Sequence, residues 1–233
     1  MKEIIIETCG GLGDNLQKST IPRMLTENGY SVYVNYSHNN GWIHTEAIKR
    51  IVWEMNPYVR GFTDREPFVR AGGPPNVNDD FIKNWESYYD LEPKNSYPEI
   101  YYKPNKVEGI NVIFDLSWLS CSYTSETVRL MAQSFLEEYK NLNCKQISSI
   151  YQYNNVELDI EKVQCDSIYD MADVLYSAGI IITLSSGPHM LAAAIHKGTI
   201  PQYCILPDWF PDFPHYILPN IKYIHPDKIY TPR

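Results

Sequence analysis

The sequence predicts an α/β protein made of two Rossmann-like domains in compact form, and three observations predict it. Two short β-branched runs, Glu3-Ile4-Ile5-Ile6-Glu7-Thr8 and Gly179-Ile180-Ile181-Ile182-Thr183-Leu184, have the composition of strands buried in a parallel sheet. Each leads through a Gly- or Ser-rich turn into a segment whose apolar residues recur at helical spacing. Between them, Pro104-Asn105-Lys106-Val107-Glu108-Gly109 has the composition of a linker, so the expected domains are 1–104 and 105–233.

In the first domain, Cys9-Gly10-Gly11-Leu12-Gly13-Asp14-Asn15 turns the first strand into a helix expected from about Asn15 to Glu27. The spacing is neither G-x-G-x-x-G nor a Walker loop, which removes support for dehydrogenase and ATPase readings. Glycines let the backbone turn sharply and let a ligand come close, so Gly11 and Gly13 are candidate ligand contacts. Asp14, beside a helix amino terminus, is expected to be held as the anion; its plain reading is a helix cap.

Gly29-Tyr30 ends that helix and Ser31 to Tyr36 alternates as a second strand. The loop His38-Asn39-Asn40-Gly41-Trp42 then falls at a strand's carboxyl end, where open α/β sheets bind ligands, making His38 and Trp42 candidate substrate contacts beside His44. Thr45 to Met55 is amphipathic through Ile48, Ile51, Val52 and Met55, and Asn56-Pro57 breaks it. Asp79 to Tyr89 reads as a further helix. Arg65, Arg70 and Lys83 are either solvated surface charge or a local anion site.

In the second domain, Asn111 to Leu116 is a strand, Ser117 to Tyr123 a loop, and Thr124 opens a helix ending near Lys140. Lys145 to Tyr151 is the next strand, and Asp166-Ser167 caps a helix carrying Ala172, Leu175, Tyr176 and Ala178. After the Gly179–Leu184 strand, Ser185-Ser186-Gly187-Pro188 turns into the helix containing Met190 to Ile195. Pro188 needs no amide partner in a first turn, and Ser186 or Gly187 can cap it. His196-Lys197-Gly198 ends the helix with cations and a glycine stop, and Thr199 to Cys204 resumes as strand. A hydroxyl-rich turn at a helix amino terminus offers unbonded amides and a positive dipole end to a phosphate, although βαβ units without ligands have such turns too. The proline-rich run Ile205 to Pro214 is either a lid or a packed tail.

Composition narrows the function classes. A net charge of −8 and a pI near 5.2 give no global basic field for nucleic acid or anionic membranes. The 19 Tyr and 5 Trp suit a pocket that stacks on sugars or bases, and equally suit ordinary packing. Cys9, Cys121, Cys144, Cys165 and Cys204 are odd in number and lack C-x-x-C spacing, which argues against a disulfide framework and a structural zinc site. Asp208 and Asp212 form no D-x-D motif, so no catalytic metal is expected. No signal peptide or membrane-length apolar run is visible, and the expected location is the cytoplasm.

Two stretches resemble glycosyltransferase family 9, the heptosyltransferase-like enzymes. Ser186-Gly187-Pro188 and Leu191-Ala192-Ala193-Ala194 match the family's D-S-G-P-M-H-L-A-A-A turn and helix; Ser185 stands at the aspartate, and His189-Met190 reverses the Met-His order. Gly10, Gly13-Asp14, Leu16, Arg23 and Leu25 match its G-x-x-G-D-x-L motif and following R-x-L, with the family's proline two positions before Pro22. The resemblance implies the GT-B fold and transfer of a sugar from a nucleotide-diphosphate sugar to an acceptor hydroxyl, with inversion and with neither metal nor cofactor. It further implies Asp14 as general base, a donor site at Gly11, Gly13, Ser185, Ser186, Gly187, Pro188 and His189, and an acceptor side at His38 and Trp42. The acceptor is a saccharide or a modified base in DNA. A nucleotide-sugar epimerase and a non-catalytic nucleotide-binding module remain alternatives.

Overall fold

Three β-rich segments of the amino-terminal half, β1 (Lys2–Glu7), β2 (Tyr30–Asn35) and β3 (Val59–Phe62), pair in parallel in the order β1-β2-β3. The register sets Ile4 opposite Val32 and Ile6 opposite Val34. The computed structural model describes residues 2–8, 10–36, 45–69, 80–118, 123–150, 154–207, 217–225 and 228–230. Its chain divides into two units, Met1–Lys103 and Pro104–Arg233.

Instead of the single helix expected after β1, the first unit has two, α1 (Leu12–Gln17) and α2 (Ile21–Glu27). Pro22 is the cause: within one continuous helix it has no N–H to give and its ring meets the carbonyl of residue 18, whereas in the first turn of α2 neither matters. The Ser19 N–H and Oγ both donate to the Leu16 carbonyl, at 3.1 and 2.6 Å, and close α1. Residues Thr45–Ile48 form α3, which continues as a π-helical turn over Lys49–Glu54, with Met55 N–H bonded to the Arg50 carbonyl at 3.1 Å. Helix α4 (Phe81–Tyr88) is capped by Asp80, whose carboxylate accepts from Lys83 N–H. Ile6, Ile21, Met24, Leu25 and Val32 pack with Tyr88, Tyr89 and Leu91 as this unit's core.

A buried carboxylate ties these helices together. Glu86 is fully enclosed; it accepts from Thr20 Oγ1 at 2.8 Å, from the Lys94 and Asn95 backbone amides, and from Asn95 Nδ2 at 2.6 Å. Next to it, Arg23 bonds Glu99, Glu27 and Asn95, so the arginine of the R-x-L motif is engaged in a structural network.

In the second unit seven strands form one sheet: β4 (Val112–Asp115), β6 (Cys144–Ser149), β8 (Glu161–Cys165), β9 (Ile180–Leu184), β10 (Gln202–Ile205), β11 (Lys222–His225) and β12 (Lys228–Tyr230). Their order is β12-β11-β10-β9-β4-β6-β8, parallel throughout except at β12. A separate antiparallel pair joins β5 (Ser117–Trp118) to β7 (Asn154–Asn155). Helices α5 (Ser125–Glu138), α6 (Ile168–Ser177) and α7 (Gly187–His196) connect them. Ser167 and Asp170 cap α6 reciprocally. The end of α7 differs from the cationic expectation, because burial lowers the His196 pKa and the neutral ring donates Nε2–H to the Leu175 carbonyl at 2.9 Å. The chain leaves that helix through two left-handed residues, Lys197 and Gly198. Val112, Phe114, Ile182, Leu184 and Ile205 form the sheet's share of the core, against Val128, Ala132 and Phe135 of α5. No helix among the described residues is long and apolar enough to cross a membrane.

Truncating Glu86 removes a buried acceptor that four donors share, the buried Thr20 hydroxyl and three partly buried groups of Lys94 and Asn95. Glu86→Ala is expected to destabilise the protein by about 2–4 kcal/mol in urea unfolding, with Glu86→Gln less damaging because one of its side-chain oxygens survives.

Candidate functional site

The strand order of the second unit reverses at one place. From β4 the chain steps to β6 and β8 in one direction, and from β9 it steps to β10 and β11 in the other. Strands β4 and β9 lie side by side, Asp115 opposite Thr183. Connections that diverge from adjacent parallel strands leave a crevice outside their carboxyl ends, the position where open α/β sheets take ligands.

One wall of that crevice is the turn from β9 into α7. Ser186 is the N-cap residue in extended conformation, but its hydroxyl donates back to the Leu184 carbonyl at 3.3 Å and makes no cap bond. The first intrahelical bond runs from Met190 N–H to the Ser186 carbonyl, so the Gly187 and His189 amides have no acceptor within the helix, and Pro188 has no N–H. Ser185 is held differently: its N–H donates to Tyr123 Oη at 2.8 Å, and the same hydroxyl donates to the Ile205 carbonyl at 3.2 Å. Tyr123 thereby ties the turn to the end of β10.

His189 presents only its backbone to the crevice. The imidazole is fully buried, with Nδ1 accepting from Gln202 Nε2 at 3.1 Å and Nε2 lying 3.2 Å from Tyr223 Oη. Burial lowers its pKa to about 3, so it is a neutral ring that cross-links α7, β10 and β11.

The other wall is the end of β4. Asp115 is fully buried; its Oδ1 accepts from the Ser117 N–H at 3.0 Å and from the Ser117 hydroxyl, and its Oδ2 has no partner among the described residues. Burial pushes its pKa up to about 6. Ser117 precedes Trp118, whose ring packs against Tyr123 with centroids 5.5 Å apart.

In the first unit, the turn after β1 is built around Asp14. Gly10 has φ +86°, and a side chain there would collide with the Asp14 carboxylate. Asp14 Oδ2 accepts from Gly11 N–H at 2.8 Å, while Gly13 lies half-buried in the first turn of α1. Asn15 bonds the Gly10 and Gly11 carbonyls and receives Trp53 Nε1–H at 2.8 Å, which anchors the turn to the π-helical segment. Lys18 is buried, with Nζ bonded to the Glu7 carbonyl at 3.2 Å and 4.1 Å from the centre of the Trp85 ring. The Asp14 carboxyl is raised above its ordinary pKa, opposite to the expectation of a depressed one. Burial is the larger influence, and the Gly11 N–H and the Lys18 charge only partly offset it.

Asp14, Gly11 and Gly13 therefore share one turn of the first unit, and Ser185 to His189 share one turn of the second. His38, Trp42, His44, Arg70, Asp208 and Asp212 lie outside the described residues. Arg65 and Lys83 are paired with Glu3 and Asp80. Sequence reading missed Asp115 and Lys18, since a single Asp or Lys without a spacing pattern carries no local signal, whereas the loop ending at Tyr123 is expected, from its position, to face the same crevice as Ser185 to His189. Among the described residues no group of three His, Cys, Asp or Glu side chains gathers as a metal ligand set.

No family model matches the sequence, and no curated protein matches it either. Solved structures do. The iron-containing dodecameric glycosyltransferase TibC from enterotoxigenic Escherichia coli is 15% identical with a TM-score of 0.64, over 94% of this chain and 62% of that one. A family 9 glycosyl transferase from Veillonella parvula is 11% identical with a TM-score of 0.63, over 96% and 86%. The ADP-heptose lipopolysaccharide heptosyltransferase II of E. coli is 11% identical with a TM-score of 0.61, over 96% and 90%. The chain thus spans about three fifths of TibC and most of the other two. It shares with them a GT-B-like α/β fold with parallel sheets, in compact form at 233 residues.

Two buried titratable groups of the second unit, Asp115 and His189, act on stability in opposite senses. Asp115, raised to about 6, favours folding below the ordinary carboxylate pKa, and that contribution is lost as pH rises through 6; His189, lowered to about 3, favours folding above pH 6.5 and loses it on acidification towards 3. Between pH 6 and 4 they offset each other. Asp115→Asn removes one side of that balance, so urea unfolding is expected to show the variant losing stability relative to the wild type by about 1.4 kcal/mol per pH unit as pH falls from 6 to 4.

Proposed function

We propose that the protein is a glycosyltransferase that moves a sugar from a nucleotide-diphosphate sugar to an acceptor hydroxyl. The observation that carries this reading is the turn Ser185 to His189, whose amides open α7 at the point where the strand order reverses. The fold likeness supports it: among the structures that share the fold are TibC in complex with ADP-D-β-D-heptose, at 14% identity and a TM-score of 0.60, and the E. coli heptosyltransferase WaaC with ADP, at 11% and 0.53.

In this reading the second unit holds the donor. The Gly187 and His189 amides and the positive end of α7 take the diphosphate, and they stabilise it further as negative charge grows on the leaving group. The first unit supplies Asp14. As the acceptor oxygen bonds to the anomeric carbon, the bond from that carbon to the diphosphate breaks, inverting the centre, and the hydroxyl proton passes to the Asp14 carboxylate. A carboxylate with a raised pKa suits that role better than a fixed anion at a helix end. The charge is handled by amides and a dipole, so the step as written uses no metal and no cofactor. A saccharide acceptor accords with the net charge of −8 better than modified DNA does. The free thiols Cys144, Cys165 and Cys204 accord with a reducing compartment such as the cytoplasm.

A thermal-shift screen against nucleotide sugars tests the donor site, because a ligand specific to the folded state raises its stability. With the donor identified, Asp14→Asn is expected to bind it as the wild type does in calorimetry and to transfer sugar roughly 10²–10⁴-fold more slowly. Unchanged transfer would remove Asp14 from the mechanism. Epimerisation of the donor with no acceptor present would replace the transferase reading.

A further inference from the structure

At the carboxyl end of β4, Trp118 is set in place with more constraint than a surface aromatic needs. Its backbone belongs to β5, which pairs with β7 so that Trp118 faces Asn154. The residue before it is pinned by two hydrogen bonds to the buried Asp115. Its ring rests against Tyr123 at 5.5 Å, with the planes inclined by 55°. Although the two rings pack on the core of the sheet, Trp118 is only partly buried. Its indole N–H has no hydrogen bond among the described residues.

The same Tyr123 connects this ring to the phosphate turn. Its hydroxyl accepts from Ser185 N–H at 2.8 Å while its ring contacts Trp118. The indole therefore stands one tyrosine side chain away from the Ser185 turn, on the β4 side of the crevice. A flat, half-buried ring whose N–H has no hydrogen bond among the described residues, one tyrosine side chain away from the turn that opens α7, fits a planar group attached to a diphosphate held there.

We propose that Trp118, braced by Tyr123, is the stacking surface for the nucleobase of a nucleoside diphosphate whose phosphates lie at Ser186 to His189. This rests on the donor-site reading above and adds to it the residue that holds the base. Stacking on an indole face tolerates different bases, so Trp118 supplies affinity for the nucleoside, and its N–H adds one hydrogen bond to an acceptor on the base or ribose.

Calorimetric titration of the full chain with ADP and with inorganic pyrophosphate separates the two ideas. Trp118→Leu is expected to weaken ADP at least about tenfold, to leave pyrophosphate unchanged, and to be largely rescued by Trp118→Phe. Equal ADP affinity in wild type and Trp118→Leu overturns the stacking role. Equal weakening of ADP and pyrophosphate also overturns it, because Trp118 would then be shaping the turn. If the wild type binds neither ADP, UDP, GDP nor pyrophosphate, the donor-site reading itself fails. Circular dichroism and thermal unfolding of each variant confirm that the fold is retained in these comparisons.

Discussion

The candidate site of the second unit depends on one constraint, the parallel pairing of β4 with β9. A parallel strand cannot return by a hairpin, so each must leave the sheet at its carboxyl end through a long connection. Here the two connections lead to opposite sides of the sheet order, one towards β6 and the other towards β10. Backbone groups at those two ends are deprived of a neighbouring strand, and the chain satisfies some of them with side chains. Asp115 takes the Ser117 amide and Tyr123 takes the Ser185 amide. The first amides of α7 have no acceptor within the helix.

Polar burial shapes both units in comparable ways. Glu86 in the first and His189 in the second are both fully enclosed, and each joins elements that are distant in sequence. Such groups are costly when unpaired and specific when paired, so they define which helix packs where more sharply than aliphatic contacts do. Among the described residues three buried atoms escape this rule, Gln17 Nε2, Asp115 Oδ2 and Gln202 Oε1, and Asp115 sits at the carboxyl end of β4 beside the crevice.

Much of this was legible in the sequence. The β-branched runs gave β1 and β9, the glycine-rich turn and the Ser-Ser-Gly-Pro turn fell where strands meet helices, and Pro188 entered the first turn of α7. The break between α1 and α2 was written in Pro22, but the overall helical periodicity masked it. Strand β8 was missed because Glu161-Lys162-Val163-Gln164-Cys165 lies at the sheet edge and has few apolar residues to report it. The direction of the Asp14 pKa shift was misjudged for a physical reason: its neighbours in sequence favour the anion, whereas the burial that outweighs them comes from the tertiary structure. Tyr123 and Ser185, 62 positions apart, meet only in the folded chain.

The Tyr123 hydroxyl has a kinetic meaning as well as a structural one. With one bond to the turn and one to the end of β10, the Tyr123 hydroxyl holds the turn ahead of α7 through the fold itself. A visitor to that turn therefore encounters a rigid receptor, and little of the association barrier comes from rearranging it. Differences among related visitors should then be expressed in how long they stay and much less in how fast they arrive.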